Sequence, residues 1–262
     1  MNLLASLDGA IMDAADAHVS VLDDGLLRGD GVFEVIKVYE GRPFALEEHL
    51  ERMTRSAESL RLPFDATELR EDALALLSHA GAIDAALRLV FTRGGRRIGI
   101  LHPPKVFPET ISLATIAYAP TRILDGVKSL SYGANMLATR LAVEAGAEEA
   151  LLVTPHGRVL EGPTTSFFYV LGGELCTPPL SDRILDSISR RVLFDVTEAR
   201  ERVTTLEDLE SISEAFLASS LREVHPVREI DGRAIEAAPG PVSVSCAERV
   251  REHIAAALPP PA

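Results

Sequence analysis

The first 118 residues alternate short apolar runs with turn pairs: Asp8-Gly9, then VSVL, then Asp24-Gly25. Residues 32–39, VFEVIKVY, are rich in β-branched and aromatic side chains and stop at Glu40-Gly41, which predicts a strand entering a hairpin. The period then changes. In LEEHLERMTRSAESLRL, Leu46, Leu50, Met53 and Leu60 recur at helical spacing with charges between them, so an amphipathic helix is predicted. ATELREDALALLSHAGA predicts a second helix stopped by Gly81, and ALRLVFTR a strand that runs into the turn GGRR.

The second half repeats the mixture. ISLATIAYAP reads as a strand ending in proline, and the pause in APTRILDG places a domain boundary near Pro120, giving residues 1–119 and 120–262. MLATRLAVEAGA predicts a helix closed by Gly146. EALLVTPHGRVLEGPTTSFFYVLGGELCTPP predicts three strands joined by Pro-His-Gly and Gly-Gly turns. ILDSISRRVLFDVTEA is a helix with Asp186 or Ser187 as its N-cap. EAFLASSLREVHPVREIDGRAI returns to strands, and AERVREHIAAAL is a last helix before a frayed LPPPA tail. Strands and helices mix in both halves, so the expected fold class is α+β or mixed α/β in two domains.

Composition narrows the partners. At 262 residues and 47% hydrophobic the chain can bury a large core, and a net charge of −13 without a basic run argues against nucleic acid. No basic segment leads into an unbroken apolar stretch at MNLLASLDGAIMDAADAHV, and no run spans a bilayer, so a cytoplasmic protein without membrane contact is expected. Cys176 and Cys246 are too few for a disulfide framework and have no metal-ligand spacing, so two buried thiols and no metal are expected. There is no nucleophile elbow, P-loop, HExxH or GxGxxG after a strand. His49 and His225 sit in apolar contexts and read as packing residues.

One scarcity stands out. Only Lys37, Lys105 and Lys128 interrupt an otherwise arginine-only set of 26 basic residues. An amine can lose its proton and attack a carbonyl, whereas a guanidinium stays protonated. Lys37 and Lys105 read as solvated, but Lys128 lies between a small loop and an apolar helix, with Val127, Leu130 and Tyr132 around it. Desolvation there would lower its pKa. On composition alone a partly buried structural lysine remains the simpler reading.

Four stretches, taken in order, alter that balance: VSVLDDGLLRGDGVFEVIKVYEGRPFALEEHLERM, KSLSYGANMLA, AGAEEALLVTPHGRVLEGPTTSFF and EVHPVREIDGRAI. Together they resemble the class IV (fold-type IV) pyridoxal-phosphate aminotransferases over nearly the whole chain. The resemblance implies a two-domain fold, pyridoxal 5'-phosphate as cofactor and a homodimer. It implies that Lys128 forms a Schiff base with the cofactor and shuttles the proton between Cα and C4′, that Glu161 pairs with the pyridine nitrogen, and that Arg52 grips the phosphate. Ile188 and Ser189 fall on the pair that binds phosphate at a helix N-terminus, Ser220 on a later phosphate hydroxyl, and Tyr132 beside the cofactor. The chain departs from the family where Asp186-Ser187 replaces Pro-Gly, where Pro163 follows Glu161-Gly162, and where Ser131 replaces an asparagine.

Within the family, GDGVFEVIKVYEGRPFALEEHLERM is most similar to D-amino-acid aminotransferases, since the aminodeoxychorismate lyases carry threonines where this chain has Glu34-Val35. The expected reaction moves the amino group of a D-amino acid, and of (R)-amines, to a 2-oxo acid. A branched-chain aminotransferase, a lyase releasing 4-aminobenzoate and pyruvate, and a non-catalytic relative are the alternatives. Arg96 and Arg97 offer a clamp for the substrate carboxylate, without the family's arginine–histidine spacing, and Phe33 and Leu221 would shape an apolar side-chain pocket.

Overall fold

The computed structural model describes residues 3–258; beyond Leu258, the proline-rich tail lies outside the described residues. The chain forms two compact units. One holds the chain up to Val106 and takes back Val127–Tyr132; the other holds Phe107–Gly126 and most of the chain from Gly133 onward.

The first unit is built on six antiparallel strands. β1 (Leu4–Leu7) and β2 (Ala10–Asp13) flank the Asp8-Gly9 turn; β3 (Gly31–Tyr39), β4 (Arg42–Pro43), β5 (Ala85–Thr92) and β6 (Arg97–His102) complete the sheet in the order β2-β1-β6-β5-β3-β4. The VSVL run is no strand. It leads through Asp23, whose carboxylate caps the Gly25 N–H, into the five-residue helix α1 (Asp24–Arg28). Helices α2 (Leu46–Ser59) and α3 (Ala66–Ala80) follow the predicted periodicity, and α3 stops at Gly81. Leu50 and Met53 of α2 and Leu69, Leu76 and Leu77 of α3 pack on Val32, Ile36, Val38, Leu87 and Leu89, the alternate positions of β3 and β5. Each such leucine contributes about 1.5–3 kcal/mol by leaving water. The helices thus cover one face of the sheet; the opposite face carries Phe33, Val35, Arg88, Ile98 and Ile100, paired across β3, β5 and β6.

The units divide between Val106 and Phe107, not near Pro120, and Lys128 belongs to the first unit instead of the C-terminal half. The reason is backbone pairing. Ser129 forms a bridge with Val32, the Phe33 N–H donates to the Lys128 carbonyl at 3.2 Å, and the Leu130 N–H to the Gly31 carbonyl at 2.9 Å.

The second unit is a mixed sheet of β7 (Ile111–Ala117), β8 (Glu149–Val153), β9 (Ser166–Leu171), β10 (Glu174–Thr177), β11 (Arg200–Glu201), β12 (Glu214–Ser219), β13 (Glu223–Ile230) and β14 (Arg233–Ala234). Its order is β11-β10-β9-β12-β13-β7-β8, with β14 beside β13. α4 (Gly133–Glu144) lays Ala138 and Ala142 on Ala114, Ala150 and Leu152, while Leu113, Leu151, Phe167, Tyr169 and Leu217 fill the other face. α5 (Ile188–Val196) and α6 (Pro241–Ala257) complete the unit. Cys176 and Cys246 are both free and buried, as expected. No helix among the described residues is long and apolar enough to cross a membrane, and no metal-ligating cluster occurs among them.

Candidate active site

In the first unit Lys128 is held by its backbone, since its N–H donates to Ser56 Oγ of α2 at 3.1 Å and its carbonyl accepts from Phe33. Its amine stands over the Phe33 ring, 4.6 Å from the centroid, and 5.7 Å from the Tyr132 ring. Those two rings meet edge to face at 5.1 Å, so Lys128, Tyr132 and Phe33 form one cluster.

A residue that sequence reasoning passed over completes this face. The Arg88 guanidinium lies over the same Phe33 ring at 5.1 Å, between Val35 and Ile100 on the neighbouring strands. It is half-buried, and no carboxylate among the described residues pairs with it. Burial pulls its pKa down, opposed by Tyr132, and its charge in turn holds His102 below the usual imidazole value beyond what burial does.

Arg96 and Arg97 are placed otherwise than expected. Arg96 Nη1 bonds Asp8 at 2.5 Å, while Arg97 bonds Asp72 at 2.8 Å and Glu68 at 2.6 Å. Both guanidinium groups tie the start of β6 to the β1–β2 turn and to α3, which removes the physical case for a carboxylate clamp there.

Arg52 does not lie on a solvated helix face. It is buried, and its Nε and Nη2 grip the Glu34 carboxylate at 2.7 and 2.6 Å, while His49 Nδ1 lies 2.7 Å from Glu34 Oε2. Burial alone would raise the Glu34 pKa; the Arg52 charge and the bonds from His49 and Arg52 overcome it and bring it to about 2. The ionised carboxylate can only accept, so Nδ1 carries the His49 proton. Burial lowers the His49 pKa against the opposing hydrogen bond and charge of Glu34, and the Arg52 and Lys128 charges add to the lowering. His49 is buried, as the packing reading expects, but it serves there as a polar partner of Glu34.

In the second unit Glu161 follows Leu160 in a tight turn. Gly162 is required there: Thr165 Oγ1 lies 2.2 Å from where a Cβ would stand, and the Gly162 N–H donates to the Thr165 carbonyl at 2.8 Å. The Pro163 carbonyl accepts from Asn135 of α4 at 2.9 Å, which ties this turn to the helix. Glu161 Oε1 accepts the Leu185 N–H at 2.9 Å, and its charge joins burial in raising the Tyr118 pKa.

Of the two N-cap candidates, Ser187 is the cap of α5: its Oγ accepts the Arg190 N–H at 3.1 Å and contacts Ser166 Oγ at 2.7 Å. Asp186 instead pairs with Arg191. The N–H groups of Ile188 and Ser189 have no acceptor among the described residues, which leaves two donors at the positive end of the helix. Ser220 and Leu221 lie in the turn between β12 and β13, both half-buried. In the first unit the half-buried primary amine of Lys128 suits an aldehyde; in the second, open first-turn amides and hydroxyls suit a phosphate and the anchored Glu161 carboxylate suits a pyridinium nitrogen, so the donor types of each unit fit pyridoxal phosphate.

The family model for class IV amino-transferases matches residues 31–230. The chain is a class IV aminotransferase. Enzymes of this family depend on pyridoxal 5'-phosphate. The chain is 38% identical to a putative branched-chain-amino-acid aminotransferase of Methanocaldococcus jannaschii, covering 87% of this chain and 88% of that one. It is 30% identical to a D-alanine aminotransferase of Staphylococcus epidermidis, over 88% and 90% of the two chains. Among solved structures, the pyridoxal-phosphate-bound form of a hypothetical aminotransferase from Mycobacterium tuberculosis superposes with a TM-score of 0.85 at 28% identity, covering 97% of this chain and 99% of that one. The mixed fold with two sheets is thus the fold-type IV architecture.

Proposed function

We propose that the enzyme transfers the amino group of a D-amino acid to a 2-oxo acid, with Lys128 as the catalytic amine and Arg88 as the anchor for the substrate carboxylate. The observation that carries the amino-acid part is the shared Phe33 ring: a primary amine and an acid-free guanidinium stand over one aromatic floor. A half-buried cation without a counter-ion is costly until an anion arrives, and a planar fork accepts a carboxylate through two bonds. Pyridoxal phosphate, when bound, supplies a carbonyl for the amino nitrogen and a ring that takes up electrons as the Cα–H bond breaks. Lys128 would supply the primary amine that holds the cofactor aldehyde and, once released, the base that would carry the substrate Cα proton. In the second unit Glu161 would hold the ring-nitrogen proton and Ile188, Ser189 and Ser220 would offer donors to the phosphate, and in the first unit Arg52 would offer its guanidinium, with Tyr132 beside Lys128. Glu34 takes Nε and Nη2 of Arg52 and so fixes the plane of its guanidinium.

The D-configuration rests on GDGVFEVIKVYEGRPF, with Glu34-Val35 after Phe33. A second reading, a branched-chain substrate, is favoured by the 38% identity to the M. jannaschii protein and by the apolar positions Val35, Ile98 and Ile100 around Arg88. The exposure of Leu22 (80%), Leu26 and Leu27 supports a homodimer, and the two free thiols support a cytosolic location.

The test is a half-reaction panel that follows cofactor absorbance with D-alanine, L-leucine and (R)-1-phenylethylamine. Conversion by D-alanine supports the proposal; conversion by L-leucine alone selects the branched-chain reading; release of 4-aminobenzoate from aminodeoxychorismate without an acceptor overturns both. Arg88→Leu should weaken amino acids by about 10–100-fold and leave the carboxylate-free amine unchanged. Equal losses on both would remove Arg88 from the carboxylate.

A further inference from the structure

The turn that carries Ser220 and Leu221 is closed by Arg222, whose side chain runs inward. Ser219 pairs with Glu223 across the hairpin, and Glu223 takes the left-handed conformation at φ 57° without being glycine. Local backbone preference therefore does not supply the shape of the turn. The Arg222 side chain does supply a fixed point. Its Nη2 donates to Glu149 Oε2 at 2.7 Å, with the two side chains 10% and 6% exposed, and its guanidinium lies 4.9 Å from the Phe107 ring centroid.

Both members of the pair have further partners. Glu149 Oε1 accepts the Thr139 hydroxyl of α4 at 2.9 Å. His225 Nε2 lies 2.8 Å from the Pro108 carbonyl, which can only accept, so that nitrogen carries the proton and Nδ1 accepts from Arg222 Nη1 at 3.1 Å. The Arg222 N–H donates to Ser219 Oγ at 3.2 Å, binding the turn to itself. A cation buried in such a network has one arrangement in which all its bonds are made, and the backbone beside it inherits that arrangement.

We propose that Arg222 is a positioning residue: through its ion pair with Glu149 it holds the Ser219–Arg222 turn so that the Ser220 hydroxyl stays aimed at the cofactor phosphate. This rests on the reading of Ser220 as a phosphate contact. Neither Arg222 nor Glu149 reaches the reacting atoms in this assignment; their effect passes through the turn.

The experiment titrates the apo form of the full chain with pyridoxal 5'-phosphate and, separately, with pyridoxal, which has the same aldehyde and ring but no phosphate. Arg222→Met should raise the Kd for pyridoxal phosphate by about tenfold or more and change that for pyridoxal by less than about twofold. Arg222→Lys should recover part of the loss, Glu149→Gln should reproduce it, and the double variant should be no worse than Arg222→Met alone. Equal weakening of both ligands in Glu149→Gln, or unchanged phosphate affinity in Arg222→Met, overturns the proposal. Ser220→Ala separates the two levels. If it leaves the ratio of the two affinities intact, the phosphate reading of Ser220 fails; if it alters the ratio while Arg222→Met does not, only the positioning role fails.

Discussion

Replacing Glu34 by Gln keeps the shape of a fully buried side chain and removes its charge. The carboxylate accepts two bonds from Arg52 and one from His49, all within 2.7 Å. With its pKa held at about 2 against an ordinary 4.5, the ionised form contributes about 3 kcal/mol to the folded state near neutral pH. Loss of one partner from a buried ion pair costs about 3–5 kcal/mol, so the two routes agree. The sign follows from the depressed pKa: the stabilisation is complete above about 4.5 and fades as the pH falls toward about 2. Urea denaturation of wild type and Glu34→Gln, followed by circular dichroism, should show a gap of about 3 kcal/mol near pH 7 that narrows through about pH 4 and nearly closes by about pH 2.5. Removing the cation as well, in Glu34→Gln with Arg52→Gln, should recover part of the loss, because the buried guanidinium no longer lacks its counter-ion. A gap below about 1 kcal/mol at neutral pH, or one of the same size in acid, would refute the charge-linked account.

Two further outcomes follow from the seat of Lys128. Lys128→Arg keeps the positive charge but loses the amine that can shed a proton, so turnover should fall by about 10⁴-fold or more, and borohydride treatment should leave no phosphopyridoxyl adduct by mass spectrometry; full activity would end the mechanism. Gly31→Ala puts a methyl group 2.5 Å from the Phe91 carbonyl oxygen and 2.6 Å from Leu130 Cδ1, forcing β3 and the lysine segment apart. Thermal denaturation should register a loss of about 1–3 kcal/mol, and an unchanged melting point would show that the strand yields without cost.

Much of the site was written in local patterns. Glu34 occupies an inward position of β3, in phase with Val32, Ile36 and Val38, and a carboxylate in that phase demands a cation from whatever packs on it. The helix that follows offers His49 and Arg52 three residues apart, on one face. The pairing was therefore deducible, and Arg52 was instead assigned by resemblance alone. Arg88 left a comparable sign, a lone charge within the apolar run ALRLVFTR. Its meaning depended on which sheet face the helices leave uncovered, and that is settled by the register of β3, β5 and β6, which no single segment encodes. The loop arginines suggested the opposite error. Arg96 and Arg97 looked available because their acids, Asp8, Glu68 and Asp72, lie 88, 29 and 25 residues away in sequence. Lys128 combines both situations. The chemistry proposed for it showed in the scarcity of lysine and the motif around it, whereas its membership of the first unit depends on backbone bonds to Gly31, Val32 and Phe33, which side-chain periodicity does not record. A pause in hydrophobic pattern such as APTRILDG marks where a chain leaves one core, and only the hydrogen bonds reveal that the six residues after it belong again to the first unit.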